Sequence, residues 1–229
     1  MLDAEAQALP AEAVVARAIE EFRGRIALVS SFGAEAAALL HIVAKVDRTT
    51  PVVFLDTGKH FAQTISYRED LARGLGLTDV RDIRPKADEA ARVDPKGDLW
   101  RRDNDACCAL RKVRPLADAL SEFDAWFTGR KRVHGGLRAY MPLVEAAPPH
   151  IKINPLARWS GEDVEAYALA HGLPPHPLVE QGFPSIGCWP CTAPTAKGDD
   201  ARAGRWRGLG KTECGIHFGG VSPRVQETA

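Results

Sequence analysis

The sequence predicts an α/β fold, a parallel sheet covered by helices on both faces. Three observations point there. Short apolar runs (RIALVSS, PVVFL, AWFT) take turns with segments of helical spacing. None of the runs alternates apolar with polar residues, so each strand is expected to be buried on both sides. The 229 residues are 45% apolar and 26% charged, enough apolar material for a core without disulfide staples.

The elements follow in order. Residues 4–22 put Leu9, Val14, Val15, Ala18 and Ile19 on one helical face, and Gly24 is placed to end that helix. Residues 25–31 read as a buried strand. Residues 34–46 return to helical spacing through Ala37, Leu39, Leu40, Ile42 and Val43. A strand over 51–55, a helix over 61–75 and a strand over 79–83 repeat the unit. A long helix is predicted over 104–123 and a short strand over 125–128. Residues 160–171 read as a capped helix, with Ser160 at the N-cap, Asp163 as its capping-box partner and Gly172 as the stop. From 174 onward Pro, Gly, Trp and Cys are frequent and no periodic segment survives. The expected organisation is an α/β body over 1–197 and an irregular, mobile tail over 198–229. Ligands in such folds bind beyond the carboxyl ends of the strands, which directs attention to loops 30–35, 56–60 and 128–138.

Charge and composition narrow the function. Lys plus Arg is 30 and Asp plus Glu is 30, so a broadly basic nucleic-acid binder is not expected. No apolar run approaches the roughly 18 residues of a membrane span. The first 25 residues carry Asp3, Glu5, Glu12, Glu20 and Glu21 without a basic leader, so a cytoplasmic protein is expected. Five cysteines in a reducing compartment then point to metal or catalysis.

Cys107 and Cys108 are adjacent, and Cys188 and Cys191 form a C-x-x-C in GCWPCT. Four thiolates suit zinc or an iron–sulfur cluster. Neighbouring side chains diverge on a helix, which fits one tetrahedral ion poorly. A cube with separate iron corners accepts them, so a [4Fe-4S] cluster is favoured over zinc. Lys112 follows Cys108 by four residues and shares its helical face, placed to bridge a cluster and an anionic substrate. Cys214 stands alone in KTECGIH, with Lys211 and His217 three residues away on either side. Flanking cations favour a thiolate, so Cys214 reads as a nucleophile. Ser30, Ser31 and Gly33 lie in a strand-to-helix loop (SSFGAE) whose backbone N–H groups suit an anion, though it has no Walker lysine. Leu55 and Thr57 sit in LDTG at the end of the next strand. Arg130, Arg132 and Arg138 form a basic loop, and Arg202, Arg205 and Arg207 a second basic group in the tail.

The cysteine pairs, SIGCWPCT, AGRW and KTECGIH, with SFGAE, LDTG, TGRKR and NPLARW in support, resemble the iron–sulfur adenylyl-sulfate reductases among the assimilatory sulfonucleotide reductases, over about residues 27–219. The loop after TGRKR differs, with His134-Gly135-Gly136 in a stretch where that family often has a Gln-Ser pair. The resemblance implies an adenine nucleotide alpha-hydrolase-like fold related to the PP-loop enzymes. It implies reduction of adenosine 5′-phosphosulfate to sulfite and AMP, with thioredoxin as electron donor. Cys107, Cys108, Cys188 and Cys191 would hold the [4Fe-4S] cluster. Cys214 would pass through an S-sulfocysteine, and glycines 204, 208, 210, 215, 219 and 220 would let the tail move. Lys112, Arg202, Arg205 and His217 would surround the sulfate, with Ser30, Ser31, Gly33, Leu55 and Thr57 nearer the nucleotide. A homo-oligomer is compatible with this. The alternatives are a reductase of the 3′-phosphorylated nucleotide, a PP-loop tRNA-thiolation enzyme, whose usual SGGxDS is absent, and a metal-stapled binding module.

Overall fold

The computed structural model describes residues 3–196 and 198–217. A six-stranded sheet forms its centre: β1 (Ile26–Val29), β2 (Val52–Leu55), β3 (Val80–Ile83), β4 (Ala125–Phe127), β5 (Val144–Ala147) and β6 (His150–Ile153), in the order β3-β2-β1-β4-β6-β5. The chain runs outward from β1 to β3 and returns to the other side of β1 as β4. All neighbours are parallel except β5, which is antiparallel to β6.

Successive side chains point to opposite faces, and both faces are covered. Ile26, Leu28, Val52, Phe54, Ala125 and Phe127 join the larger apolar cluster. It packs against α2 (Ala11–Glu21), α3 (Ala36–Val46), α4 (Ala62–Leu75) and α9 (Gly161–Ala170). Ala27, Val53, Leu55 and Trp126 face the other way, against Leu116 and Leu120 of α8 (Arg114–Leu120). The absence of alternation in the sequence is thus a consequence of a doubly covered sheet.

Four features depart from the sequence reading. The predicted first helix is two: α1 (Asp3–Ala6) and α2 are separated at Pro10, the N-cap of α2, because proline lacks the N–H and clashes with the preceding turn. The β5–β6 hairpin was not anticipated; its strands are four residues each and flank Pro148–Pro149, leaving no apolar run to read. The short helices α5 (Ala87–Val93) and α6 (Leu99–Arg102) also escaped prediction. Finally, the long helix at 104–123 is interrupted. It runs as α7 (Asn104–Cys108), a π-helical turn over Ala109–Val113, then α8. Pro115 near the start of α8 cannot donate to the Arg111 carbonyl, so the preceding turn widens. That widened turn carries Lys112.

The capping box at α9 is present. Ser160 Oγ accepts from the Asp163 N–H at 3.0 Å, and Asp163 Oδ2 accepts from the Ser160 N–H at 2.7 Å. Replacing the cap removes one satisfied donor at the helix start. Ser160→Ala is expected to lower stability by about 1 kcal/mol, measured as a shifted urea midpoint at unchanged slope.

Candidate functional site

The sheet reverses its strand order between β1 and β4, and a cleft opens beyond the carboxyl ends of these strands. It encloses about 1270 Å³ including its mouth. Ser30, Ser31, Gly33 and Leu55 line it, with Leu39 and Leu40 forming an apolar wall. The loop after β1 is pinned by Phe32. This residue is fully buried, packs edge-on against Phe54 at 5.7 Å and takes φ 47°, rare for an aromatic residue. Its N–H donates to Ser30 Oγ at 3.2 Å. The inward turn of Phe32 leaves the small residues around it facing the cleft.

Cations crowd the other walls. Arg130, Arg138, Arg202, Arg205 and Lys112 line the cleft. Three of them have internal counter-charges. Arg138 grips Glu213 with two hydrogen bonds, at 2.5 and 2.9 Å. Arg130 pairs with Glu145 at 2.5 Å, and Arg202 stands 3.6 Å from Glu213. Buried Lys131 pairs with Glu35, which also lies 3.5 Å from His134. Burial resists ionisation of Glu35, but His134 and Lys131 hold its carboxyl down at about 2. Burial and the neighbouring Arg138 push Arg202 down to about 10. Among the described residues neither Lys112 nor Arg205 forms an ion pair with a carboxylate. Burial works against the Lys112 ammonium, yet Cys188, Cys214 and Cys108 together raise its pKa. Burial lowers that of Arg205, opposed by Cys214 and Cys188.

Four of the cysteines line a second, smaller cavity of about 310 Å³, together with Asn104, Arg111 and Trp100. Lys112 lines both cavities. Among the described residues no three His, Cys, Asp or Glu side chains converge as they would around a single metal ion. What Cys107, Cys108, Cys188 and Cys191 share is the wall of one enclosed space, and all four are buried. Burial pushes the Cys107 thiol up to about 12, reinforced by Cys108, and raises Cys108 as well. Cys188 goes the other way. Burial again resists its charge, but Lys112, a 3.3 Å hydrogen bond with the Thr57 hydroxyl, and Arg205 outweigh it. Arg111 braces this cavity from behind, donating to Asp94 at 2.7 Å and to the Thr57 carbonyl at 2.8 Å.

Cys214 reaches the first cavity, half-buried, beside Ile216 and His217. The surrounding charge differs from the sequence reading. Lys211 turns away from Cys214 and onto α7. Burial, with Arg130, Arg138, Lys152 and Arg202 nearby, holds the His217 imidazole well below its usual range, so it is neutral at pH 7. The cations that act on Cys214 are Lys112, Arg205 and Arg202 instead. Two of the expected substrate-binding residues, Thr57 on the nucleotide side and Arg132 in the basic loop, do not line the cleft. Thr57 belongs to the cysteine cavity through Cys188, and Arg132 donates to the Met141 carbonyl at 2.8 Å. Gly204 serves close packing, because a Cβ there would collide with the Ala193 carbonyl. Gly219 and Gly220 lie outside the described residues.

Sequence reasoning missed the carboxylates that balance the arginines, Glu35, Glu145 and Glu213, and the aromatic floor. Trp126 stacks on His217 with ring centroids 5.6 Å apart. Trp206 lies under Arg205 at 4.5 Å and under Arg202 at 5.7 Å. Only the placement of Trp206 in AGRW and of Glu213 beside Cys214 hinted at these roles.

Arg205 occupies the place where a Cβ on residue 187 would stand. The obstructing atoms end a flexible side chain, so Gly187→Ala is expected to fold while displacing the guanidinium. Turnover should fall at least about tenfold, the order of one lost charge-assisted contact, with the thermal midpoint nearly unchanged. The depressed Glu35 carboxyl predicts an acid-sensitive term. Its contribution is complete above the ordinary value of 4.5 and is lost as pH falls from there through about 2. Glu35→Gln should flatten that limb of the stability–pH curve followed by circular dichroism.

The model of the phosphoadenosine phosphosulfate reductase domain matches residues 25–194. A protein of Chelativorans sp. (strain BNC1) named adenosine 5′-phosphosulfate reductase is 53% identical over 222 residues, 96% of this chain and 91% of its own length. One of the same name from Mesorhizobium japonicum is 52% identical over 220 residues, 96% of this chain and 87% of its own. Among solved structures, the phosphoadenylyl-sulfate reductase of Candida auris superposes with a TM-score of 0.70 at 28% identity, covering 81% of this chain and 91% of that one. The FMN adenylyltransferase of Candida glabrata shares the fold, with a TM-score of 0.57 at 15% identity over 86% of this chain and 67% of that one. The chain belongs to the phosphoadenosine phosphosulfate reductase family of oxidoreductases.

Proposed function

We propose that this protein reduces adenosine 5′-phosphosulfate to sulfite and AMP in cytoplasmic sulfate assimilation, with the dithiol of a thioredoxin as reductant. The observation that carries the reading is the pair of half-buried cleft cations with no carboxylate ion-pair partner among the described residues, Lys112 and Arg205, set against Cys214 on one side and Cys188 on the other. A site with that unmet positive charge suits a small polyanion next to a thiol. Relatives 42–53% identical carry the name of the unphosphorylated nucleotide, which favours it over its 3′-phosphorylated form.

The cysteine cavity supports a [4Fe-4S] cluster held by Cys107, Cys108, Cys188 and Cys191. The four candidate donors are all sulfur and line one cavity. Such a cluster supplies fixed charge and rigidity beside the substrate. The electron balance closes on thiols alone.

In the first step the Cys214 thiolate attacks the sulfate sulfur. An S–S bond forms, the S–O bond to phosphate breaks, and its electron pair leaves with AMP. Lys112, Arg202 and Arg205 bind the oxygens that gain charge. Neutral His217 offers a hydrogen bond without adding charge. In the second step a thioredoxin thiolate attacks Cys214 Sγ and sulfite departs with the pair of the S–S bond. The second thiol then resolves the mixed disulfide, so that the dithiol is oxidised as the sulfur is reduced. The tail over 198–229, which carries Cys214, presents it first to substrate and then to the reductant.

Cys214→Ser is expected to bind AMP normally and to release no sulfite. Substrate given to the wild-type protein without reductant should add about 80 Da, one SO₃, to the peptide that contains Cys214. An unmodified peptide, or full turnover by the variant, overturns the assignment.

A further inference from the structure

The tail that carries Cys214 is tied to the cysteine cavity by a contact separate from Lys112. Lys211, buried and three residues before Cys214, extends onto the start of α7. Its Nζ donates to Asp105 Oδ1 at 2.7 Å, to Asn104 Oδ1 at 3.0 Å and to Cys108 Sγ at 3.4 Å. The same Asn104 donates through Nδ2 to Cys191 Sγ at 3.1 Å. One ammonium and one amide therefore connect the tail to a sulfur from each cysteine pair. Other holds described on this segment go elsewhere. Arg138 and Arg202 take Glu213 and the Thr212 carbonyl, and Lys152 donates to the His217 carbonyl at 2.7 Å.

We propose that Lys211 and Asn104 are positioning residues that latch the Cys214 segment to the cysteine cavity, and that metal ligation of the cysteines tightens the latch. The second half rests on the cluster reading above. A ligated cysteine sulfur carries thiolate charge, and hydrogen bonds to an ionised acceptor are about twice as strong as neutral ones. With the four cysteines ligated, Lys211 and Asn104 hold the tail over the cleft. With the cavity empty, their sulfur acceptors are weaker and the tail opens more often. The latch sets where Cys214 stands, while Ser30, Ser31, Gly33 and Leu55 line the cleft from the strand loops, so its loss should lower kcat more than it raises KM for the nucleotide.

The test uses the full-length protein purified anaerobically, with iron content and the visible spectrum recorded for every sample. The rate of Cys214 alkylation by iodoacetamide is followed by peptide mass spectrometry. In iron-loaded protein, Lys211→Met is expected to be alkylated roughly tenfold faster than wild type, the loss of one charge-assisted hydrogen bond. Asn104→Ala, which removes one of the three acceptors of Lys211, should show a smaller increase in the same direction. Stripping the iron with chelator and oxidant should accelerate wild type and bring it close to Lys211→Met. Equal rates for loaded wild type and Lys211→Met, at equal iron content, overturn the latch while leaving the cluster reading intact. A fall in KM affinity as large as the fall in kcat for Lys211→Met also overturns it. Protein that purifies without iron or visible absorption overturns the cluster reading and with it the metal dependence; the comparison of wild type with Lys211→Met still decides whether Lys211 restrains Cys214.

Discussion

Partly buried positive charge facing sulfur is the constraint on which the site depends. Lys112 and Arg205 are half-buried in the cleft wall, and burial alone disfavours the charge on both. Their partners are thiols from both halves of the site. Cys188 faces the same two cations and is drawn toward its thiolate by them. Removing the sulfurs would strip both cations of the groups that oppose burial, and removing the cations would leave the buried Cys188 thiol raised like Cys107. The cysteine cavity and the larger cleft are therefore electrostatically joined where the π-helical turn carries Lys112 into both.

The sheet explains how distant stretches of sequence meet there. Reversal of strand order beside β1 opens the cleft, and the loops after β1 and β4 supply its two rims. The 184–187 loop and the tail roof it over. The start of the tail is stitched to the C-x-x-C segment, since the Ala193 N–H donates to the Gly204 carbonyl at 2.9 Å and the Trp206 N–H to the Cys191 carbonyl at 3.1 Å. These bonds set the position of Arg205 relative to the C-x-x-C segment.

Much of this was legible in the sequence because it rests on local pattern. The fully apolar strands, the Ser160 cap and the paired cysteines each declare themselves within a few residues. The resemblance of KTECGIH and GCWPCT to a known family supplied the functional frame. What the sequence concealed depends on partners remote along the chain. Glu213 meets Arg138 across 75 positions, and Lys211 meets Asn104 across 107. Spacing alone made Lys211 and His217 cations for Cys214. Folding instead sent one to α7 and buried the other among arginines, where it stays neutral. The π turn was invisible because helical periodicity cannot register a single widened turn caused by Pro115.

The grip of Lys152 on the tail is made to a main-chain oxygen, the carbonyl of residue 217. Such a contact fixes the route of the polypeptide and is blind to which amino acid stands there. Chemistry at position 217 can thus be retuned by substitution while the course of the chain across the sheet edge is kept. The hairpin that supplies Lys152 acts as a guide rail, letting evolution alter the reactivity of the strap separately from its trajectory.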